Sequence, residues 1–305
     1  MIPTISISDA ARLLREGGVV AFPTETVYGL GANALDAVAV RRIYELKGRP
    51  STSPLIVHVN SIEMAQSLAS VWPAKADELA TAHWPGPLSI VVPKSASIPD
   101  EVTAGLGTVG LRMPRHPIAL ALICATGLPL AAPSANRFTE LSPTTAAHVY
   151  ATFGDAVPVL DGGPCEVGLE STVVSVDASG VVRLLRPGML TLPEALVSTA
   201  TVDFGQAHES PGMHEKHYSP RFSRVVLVRA PAKPPVGAVY LYHRQSSAGA
   251  VAREIQLPAD PHAYAAALYA TLHELDAQAV PLIAIEMPEG PLWNAIRDRL
   301  GRAAS

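Results

Sequence analysis

Through the first two hundred residues, short apolar runs alternate with segments whose apolar positions recur at helical spacing. The runs at 19–22, 55–59, 88–92, 109–113 and 130–132 predict strands. Between them, Asp36 caps a segment with apolar positions at Val38, Val40, Ile43 and Leu46, and Gly48 ends it, which predicts a helix. Ser8 is the expected cap of a first helix that runs to Glu16 and stops at Gly17 and Gly18. Further helices are predicted over 61–70, 74–84 and 117–126. Another is predicted over 143–153, with Ser142 as cap and Pro143 at the favoured first position. Two β-rich runs, 171–176 and 181–185, flank Asp177, Ala178, Ser179 and Gly180, a hairpin turn. Helices and strands mixed in this way predict a mixed α/β sheet rather than strict βαβ repetition.

The pattern breaks at 203–222, a polar stretch with Gly205, Pro211, Gly212 and Pro220 and no apolar period. It reads as a linker, of a length at which loops are usually functional. Beyond it, strands are predicted at 224–228, 238–243 and 282–286, and helices at 261–278 and 292–302. The expected organisation is therefore a domain at 1–202, the linker at 203–222, and a smaller α/β domain at 223–305.

Composition narrows the function. Apolar residues are 48% of the 305 and charged ones 16%, enough for a packed core. No apolar run reaches the roughly 18 residues of a membrane span, and Met1 to Asp9 lack a secretory pattern, so a cytoplasmic protein is expected. The net charge is −4, and all of it falls before residue 201, where 13 basic residues meet 17 acidic ones. Neither part has the basic excess of a protein that grips nucleic acid by its phosphates. The two cysteines, Cys124 and Cys165, form no CxxC pair, so neither a disulfide framework nor a zinc knuckle is expected.

Familiar nucleotide motifs are missing: there is no GxxxxGK[ST], and Gly29-Leu30-Gly31 lacks a third glycine. His214 and His217 offer two ligands without a third, so no set of metal ligands is identifiable. Four local features remain. Thr24, Glu25 and Thr26 follow the first strand, at a strand end of the kind where α/β folds bind ligands. Lys47 and Arg49 enter a loop with Ser51, Thr52 and Ser53, a composition suited to a polyphosphate but also to a helix C-terminus. Small residues at 131–136 precede Ser142, where a helix start would present amides to an anion. Two glycine-dense loops, 161–164 and 168–172, lead to Arg186 before a turn.

Taken in order, these segments resemble the threonylcarbamoyl-AMP synthase family, in the long form with a YrdC-like catalytic domain and a smaller C-terminal domain. The resemblance is carried by FPTETVYGLG (22–31), KGRP (47–50), PLIVHV (54–59), WPGPLS (84–89), TVGLRMPRHP (108–117), PLAAPSAN (129–136), SPTTAAHV (142–149), GLESTVV (168–174), LLRPG (184–188) and SPGM…HYSP (210–220). It implies a YrdC-like twisted mixed sheet with flanking helices and a Rossmann-like C-terminal domain. It also implies synthesis of threonylcarbamoyl-AMP from L-threonine, bicarbonate or CO2 and ATP, for modification of tRNA.

The resemblance further implies a ligand map. Thr26, His58, Arg112, Ala132 and Ser171 would hold L-threonine. Arg49, Ser53, Thr108, Ser134, Ser142, Arg186 and Tyr218 would hold ATP, with the linker folding over it as a lid. Lys47 and Arg49 would neutralise phosphate charge, and Mg2+ would arrive with ATP. The product would pass to a downstream tRNA threonylcarbamoyl transferase, without strong tRNA binding by this chain. Thr139 stands where the family often has glycine, and Glu215-Lys216 where it often has Tyr-Arg. Two other readings stay open: a carbamoyl adenylate transferase of the hydrogenase-maturation type, and a non-catalytic nucleotide or double-stranded RNA-binding regulator.

Overall fold

A computed structural model describes residues 3–193, 196, 217–229, 233–247 and 249–304. Most of the expected linker, 203–216, lies outside the described residues, including the Glu215-Lys216 departure.

The chain begins with α1 (Ile7–Arg15), β1 (Val20–Phe22), β2 (Gly29–Asn33), α2 (Ala37–Lys47), β3 (Ile56–His58), α3 (Ile62–Ser67) and α4 (Ala74–His83). It continues through β4 (Leu88–Pro93), α5 (Asp100–Thr103), β5 (Thr108–Arg112), α6 (Pro117–Thr126), β6 (Leu130–Ala131), α7 (Ala146–Phe153), β7 (Thr172–Val176) and β8 (Val182–Arg186). These eight strands form one sheet in the order β1-β2-β6-β3-β5-β4-β7-β8. Two neighbouring pairs, β3 with β5 and β4 with β7, are parallel and the others antiparallel, so the sheet is mixed as expected.

The remainder supplies β9 (Arg224–Val228), β10 (Val239–Tyr242), β11 (Arg253–Gln256), α8 (Pro261–Ala277), β12 (Leu282–Glu286) and α9 (Asn294–Ala303). Its four strands form a second, wholly parallel sheet in the order β11-β10-β12-β9. The apolar cluster under this sheet does not close on itself. It takes in Val27, Leu141, Leu169 and Tyr218 together with Tyr264, Leu268, Tyr269 and Ile296. Helices α8 and α9 therefore bury their apolar faces partly against the first domain, which fixes one unit on the other.

Two expectations need correction. The first helix is capped by Ser6, whose hydroxyl accepts from Asp9 N, not by Ser8. Ser142 does not cap α7; Thr145 does, accepting from His148 N. The reason is tertiary: the carbonyls of Pro143 and Thr144 accept from Tyr28 N and Cys165 N, which holds the segment extended past the point where a helix would start. The stretch 29–33, for which the sequence pattern predicts no element, is a strand that pairs with both β1 and β6.

Candidate active site

A cavity opens where β1, β3, β5 and β6 end, facing the hairpin β7–β8 and the stretch 217–218. Its floor is set by register. His58 and Arg112 are paired neighbours at the ends of the parallel strands β3 and β5, so both side chains reach the same mouth. The loop after β1 is shaped by Thr24, whose hydroxyl donates to Val27 O (2.6 Å) and accepts from Thr26 N and Val27 N (3.2 Å each). That turn aims Thr26 at Arg112, whose terminal nitrogen donates to the Thr26 hydroxyl at 2.8 Å.

Arg112 is the most engaged cation of the floor. Its Nε donates to Gly86 O, and its other terminal nitrogen lies 2.7 Å from Glu25 in a buried ion pair. Burial alone would raise the Glu25 carboxyl, but the charge and hydrogen bond of Arg112, together with backbone amide hydrogen bonds, bring the pKa below the usual value. His58, also buried, is pushed down to about 3, first by burial and then by the charge of Arg112. It is a neutral imidazole throughout the physiological range. The expected result is an NMR signal from His58 that does not titrate between roughly pH 5 and 8; an inflection there would contradict this charge state.

The opposite wall carries two further arginines. Gly48 takes φ 60°, which a side chain would strain, and turns the chain so that Arg49 folds inward. Arg49 donates to Ser53 Oγ (2.6 Å) and Pro54 O (2.9 Å), while its buried Nε has no hydrogen-bond partner among the described residues. Burial pulls its pKa down to about 10, so it stays charged at neutral pH. Arg186 donates to Ser171 O from Nε (3.2 Å) and from a terminal nitrogen (3.0 Å). Ser171 in turn shares a 2.8 Å hydroxyl contact with Ser89. Ala132 and Ser134 complete this part of the lining. A Cβ built on Gly29 would come within 3.2 Å of Ala132 Cβ, so the start of β2 packs closely on the residue after β6.

Four expected residues stand outside the lining. Lys47 is buried, and its ammonium donates to the carbonyls of Ser134 and Asn136. It braces the small-residue loop rather than facing the cavity. Ser53 lies behind Arg49 and accepts its hydrogen bond. Ser142 is wholly buried and donates to Glu170 Oε1 at 2.6 Å. Thr108 begins β5 while Arg112 ends it, and a strand rise of about 3.3 Å per residue puts them roughly 13 Å apart.

Glu170 was not among the expected site residues, and it is the cavity's one carboxylate among the described lining. Burial would raise its pKa, but Arg299, Arg186 and Ser142 bring it below the usual value. Tyr218 lines the cavity beside His217. It is buried at φ 61°, stacked on Tyr269 of α8 (5.9 Å between centroids) and 5.3 Å from the Arg299 guanidinium of α9. The stretch after it is clamped to the 136–141 loop: Ser219 N donates to Thr139 O, and Arg221 forms a forked pair with Glu140 at 2.8 and 2.9 Å.

Thr139 itself sits at φ 67°, a region costly for a β-branched residue. Thr139→Gly is expected to stabilise the protein by about 1 kcal/mol, the relief of left-handed strain less the added freedom of the unfolded chain. A lower Tm for that variant would show that the threonine side chain compensates locally.

Chemically, the cavity joins three buried arginines to a neutral histidine and several hydroxyls, which suits an anionic, polyhydroxylated ligand set. Its described residues include no activated nucleophile. Cys165 is buried with its thiol pushed up to about 12, mainly by desolvation.

Comparison with known proteins agrees with this geometry. A family model described as "Telomere recombination" matches residues 12–188, and one described as "Threonylcarbamoyl-AMP synthase, C-terminal domain" matches 187–305. The threonylcarbamoyl-AMP synthase of Bacillus subtilis is 42% identical, over 98% of this chain and 92% of that protein. That of Pyrococcus abyssi is 48% identical, over 73% of this chain and 67% of that protein. The crystal structure of P. abyssi Sua5 complexed with L-threonine superposes with a TM-score of 0.87 at 38% identity, covering 98% of this chain and 94% of that one.

Proposed function

The chain belongs to the threonylcarbamoyl-AMP synthase family, and from that premise we propose that it condenses L-threonine, bicarbonate or CO2, and ATP into threonylcarbamoyl-AMP with release of pyrophosphate. The observation that carries the reading is the single cavity in which Arg112, His58 and Thr26 meet Arg49 and Arg186. One end suits an amino acid with a hydroxyl, and the other a nucleotide.

The threonine amine adds to CO2 and loses a proton, giving a carbamate. A carbamate oxygen then attacks the α-phosphorus, and the bond to the bridging oxygen breaks as pyrophosphate leaves. No step needs a covalent intermediate on the protein. What the side chains supply is position and fixed positive charge. Arg112 presents a guanidinium fork to the threonine carboxylate. Thr26 and neutral His58 are within the same mouth to read the side-chain hydroxyl, and a site that hydrogen-bonds such a group rejects analogues lacking it. Arg49 and Arg186 face the phosphates.

Mg2+ enters this scheme as part of the substrate, bound to the triphosphate. Among the described residues no three His, Cys, Asp or Glu side chains gather in one group, and Glu170 is engaged by Arg299 and Ser142. The product would serve tRNA modification through a separate transferase. A net charge of −4 supports a chain that does not itself grip tRNA tightly. No helix of the described residues is long and apolar enough to cross a membrane, and a cytoplasmic setting fits that use.

The test is pyrophosphate release by purified protein with threonine, bicarbonate or magnesium omitted in turn, then with serine in place of threonine. Release that requires every component and falls with serine is expected. ATP binding without release under any combination would favour the non-catalytic nucleotide binder.

A further inference from the structure

We propose that Ile56, on β3, is the residue that reads the methyl group of the amino-acid substrate, and that Gly110, its bare partner on β5, keeps the room in which it does so. This deepens the adenylate-forming reading and rests on it.

Alternate residues of a strand share a face. Ile56 therefore stands on the same side of β3 as His58, and Gly110 on the same side of β5 as Arg112. The register pairs Ile56 with Gly110 just as it pairs His58 with Arg112. Val57 and Leu111, between them, go to the opposite face and into the core. The cavity floor thus has a polar row at the strand ends and an apolar row one step further in. Ile56 is 7% exposed and lines the cavity. Among the described residues it nevertheless joins none of the apolar clusters of the core. Ala132 N donates to Ile56 O at 2.9 Å, which holds the small-residue loop beside it.

A threonine supplies the apolar partner that Ile56 lacks. Its Cβ bears a hydroxyl and a methyl. With the carboxylate on Arg112 and the hydroxyl toward Thr26 and His58, the methyl is left for the apolar lining. The open-chain aliphatic side chains of that lining are Val27, Ile56 and Ala132. Val27 packs with Leu141, Leu169 and Tyr218, and Ala132 with the cluster around Phe22 and Leu130. Ile56 is the one of the three whose burial a ligand methyl would complete. Gly110 explains how its side chain comes to lie there. A Cβ on Gly110 would stand 2.6 Å from Ile56 Cδ1 and 3.6 Å from Val91 Cγ2. The end of the isoleucine lies across the bare glycine, with Val91 of β4 on the other side. A side chain at 110 would turn that end toward the space the methyl needs.

The test compares threonine with serine, which lacks the methyl, and with the threonine homologue that carries an ethyl group in its place. Each is read as kcat/KM for pyrophosphate release and as Kd by calorimetry. Only ratios between amino acids are compared, so the fraction of folded protein cancels. Ile56→Ala is expected to lower the threonine-to-serine ratio about tenfold, the scale on which an apolar pocket reads one carbon. It should also raise the ethyl homologue relative to threonine by at least about threefold, a gain that damage alone does not produce. Ile56→Val, one carbon shorter, should move both ratios the same way by about two- to threefold, and it reports even if the alanine variant fails to fold. Gly110→Ala should lower the threonine-to-serine ratio about fivefold in the parent, but by less than about twofold beside Ile56→Val, which has no Cδ1 to displace. The inference is overturned if the Ile56 variants keep the parent's threonine-to-serine ratio, if the ethyl homologue gains nothing, or if Gly110→Ala acts equally with and without Cδ1. Parent protein that prefers threonine in binding but releases no pyrophosphate would count against the enzyme reading alone, since the Kd ratios still test Ile56. Parent protein that binds none of the three amino acids would overturn both.

Discussion

Arg112→Ala is expected to remove threonine-dependent turnover and to destabilise the fold in one step. The guanidinium holds Thr26 at 2.8 Å and Glu25 at 2.7 Å, with both charged side chains almost wholly buried. Deleting one partner of such a pair leaves an uncompensated charge, at a cost of about 3–5 kcal/mol. Adding Glu25→Gln should recover most of the stability, measured by chemical denaturation, without recovering threonine use. That split separates the two tasks of Arg112. Recovery of threonine KM in the double variant would show that Arg112 serves only to neutralise Glu25. Acid acts on the same pair. Glu25 has a folded-state pKa below its unfolded one, so its contribution is present above the ordinary carboxylate range and is lost as pH falls through the folded value. Glu170 has the same sign, so the floor and the domain contact should weaken together on acidification.

Gly168→Ala should be the next most damaging change, although Gly168 touches no expected ligand. It takes φ 74°, and a Cβ there would lie 2.6 Å from the Ala265 carbonyl oxygen and from Ala266 Cα, in the backbone of α8. Backbone cannot rotate aside as a side chain can. Left-handed strain of about 1–2 kcal/mol and overpacking of about 1–3 kcal/mol together predict a loss of roughly 2–5 kcal/mol. The displaced helix carries Tyr269 and His273, and His273 contacts Ser142 O at 3.1 Å, so ATP binding should weaken along with Tm. Limited proteolysis should cut the variant between the two sheets faster than the parent. Unchanged ATP affinity in a destabilised variant would show that α8 is dispensable to the site.

Much of the first sheet was legible because its elements carry their own signals. Asp36 and Gly48 bracket α2, and Pro117 opens α6 as the sequence predicts. β2 was not, because Gly29, Leu30, Gly31, Ala32 and Asn33 have neither alternation nor branched residues. Its strand state comes from partners on both sides. The edge strand β11, paired only with β10, has no predicted element either, because Arg253, Glu254 and Gln256 leave it a single apolar position. In the cavity, motifs from distant segments pointed to Thr26, His58, Arg112 and Arg186, and the register of β3 on β5 shows why two of them meet. Arg299 had no such marker. An arginine on a helix with charged neighbours reads as solvated, and its partner Glu170 is 129 positions away. Only the docking of α9 on the first domain makes the pair visible.

That docking also sets an order of events during synthesis. The first eight strands end at Arg186 and can assemble while the rest of the chain is still being made. Helices α8 and α9 come later in the chain, so their contacts with the loops of the first sheet form after it. A nascent chain whose first sheet has assembled therefore still lacks the Arg299 contact to Glu170 and the Tyr269 face behind Tyr218.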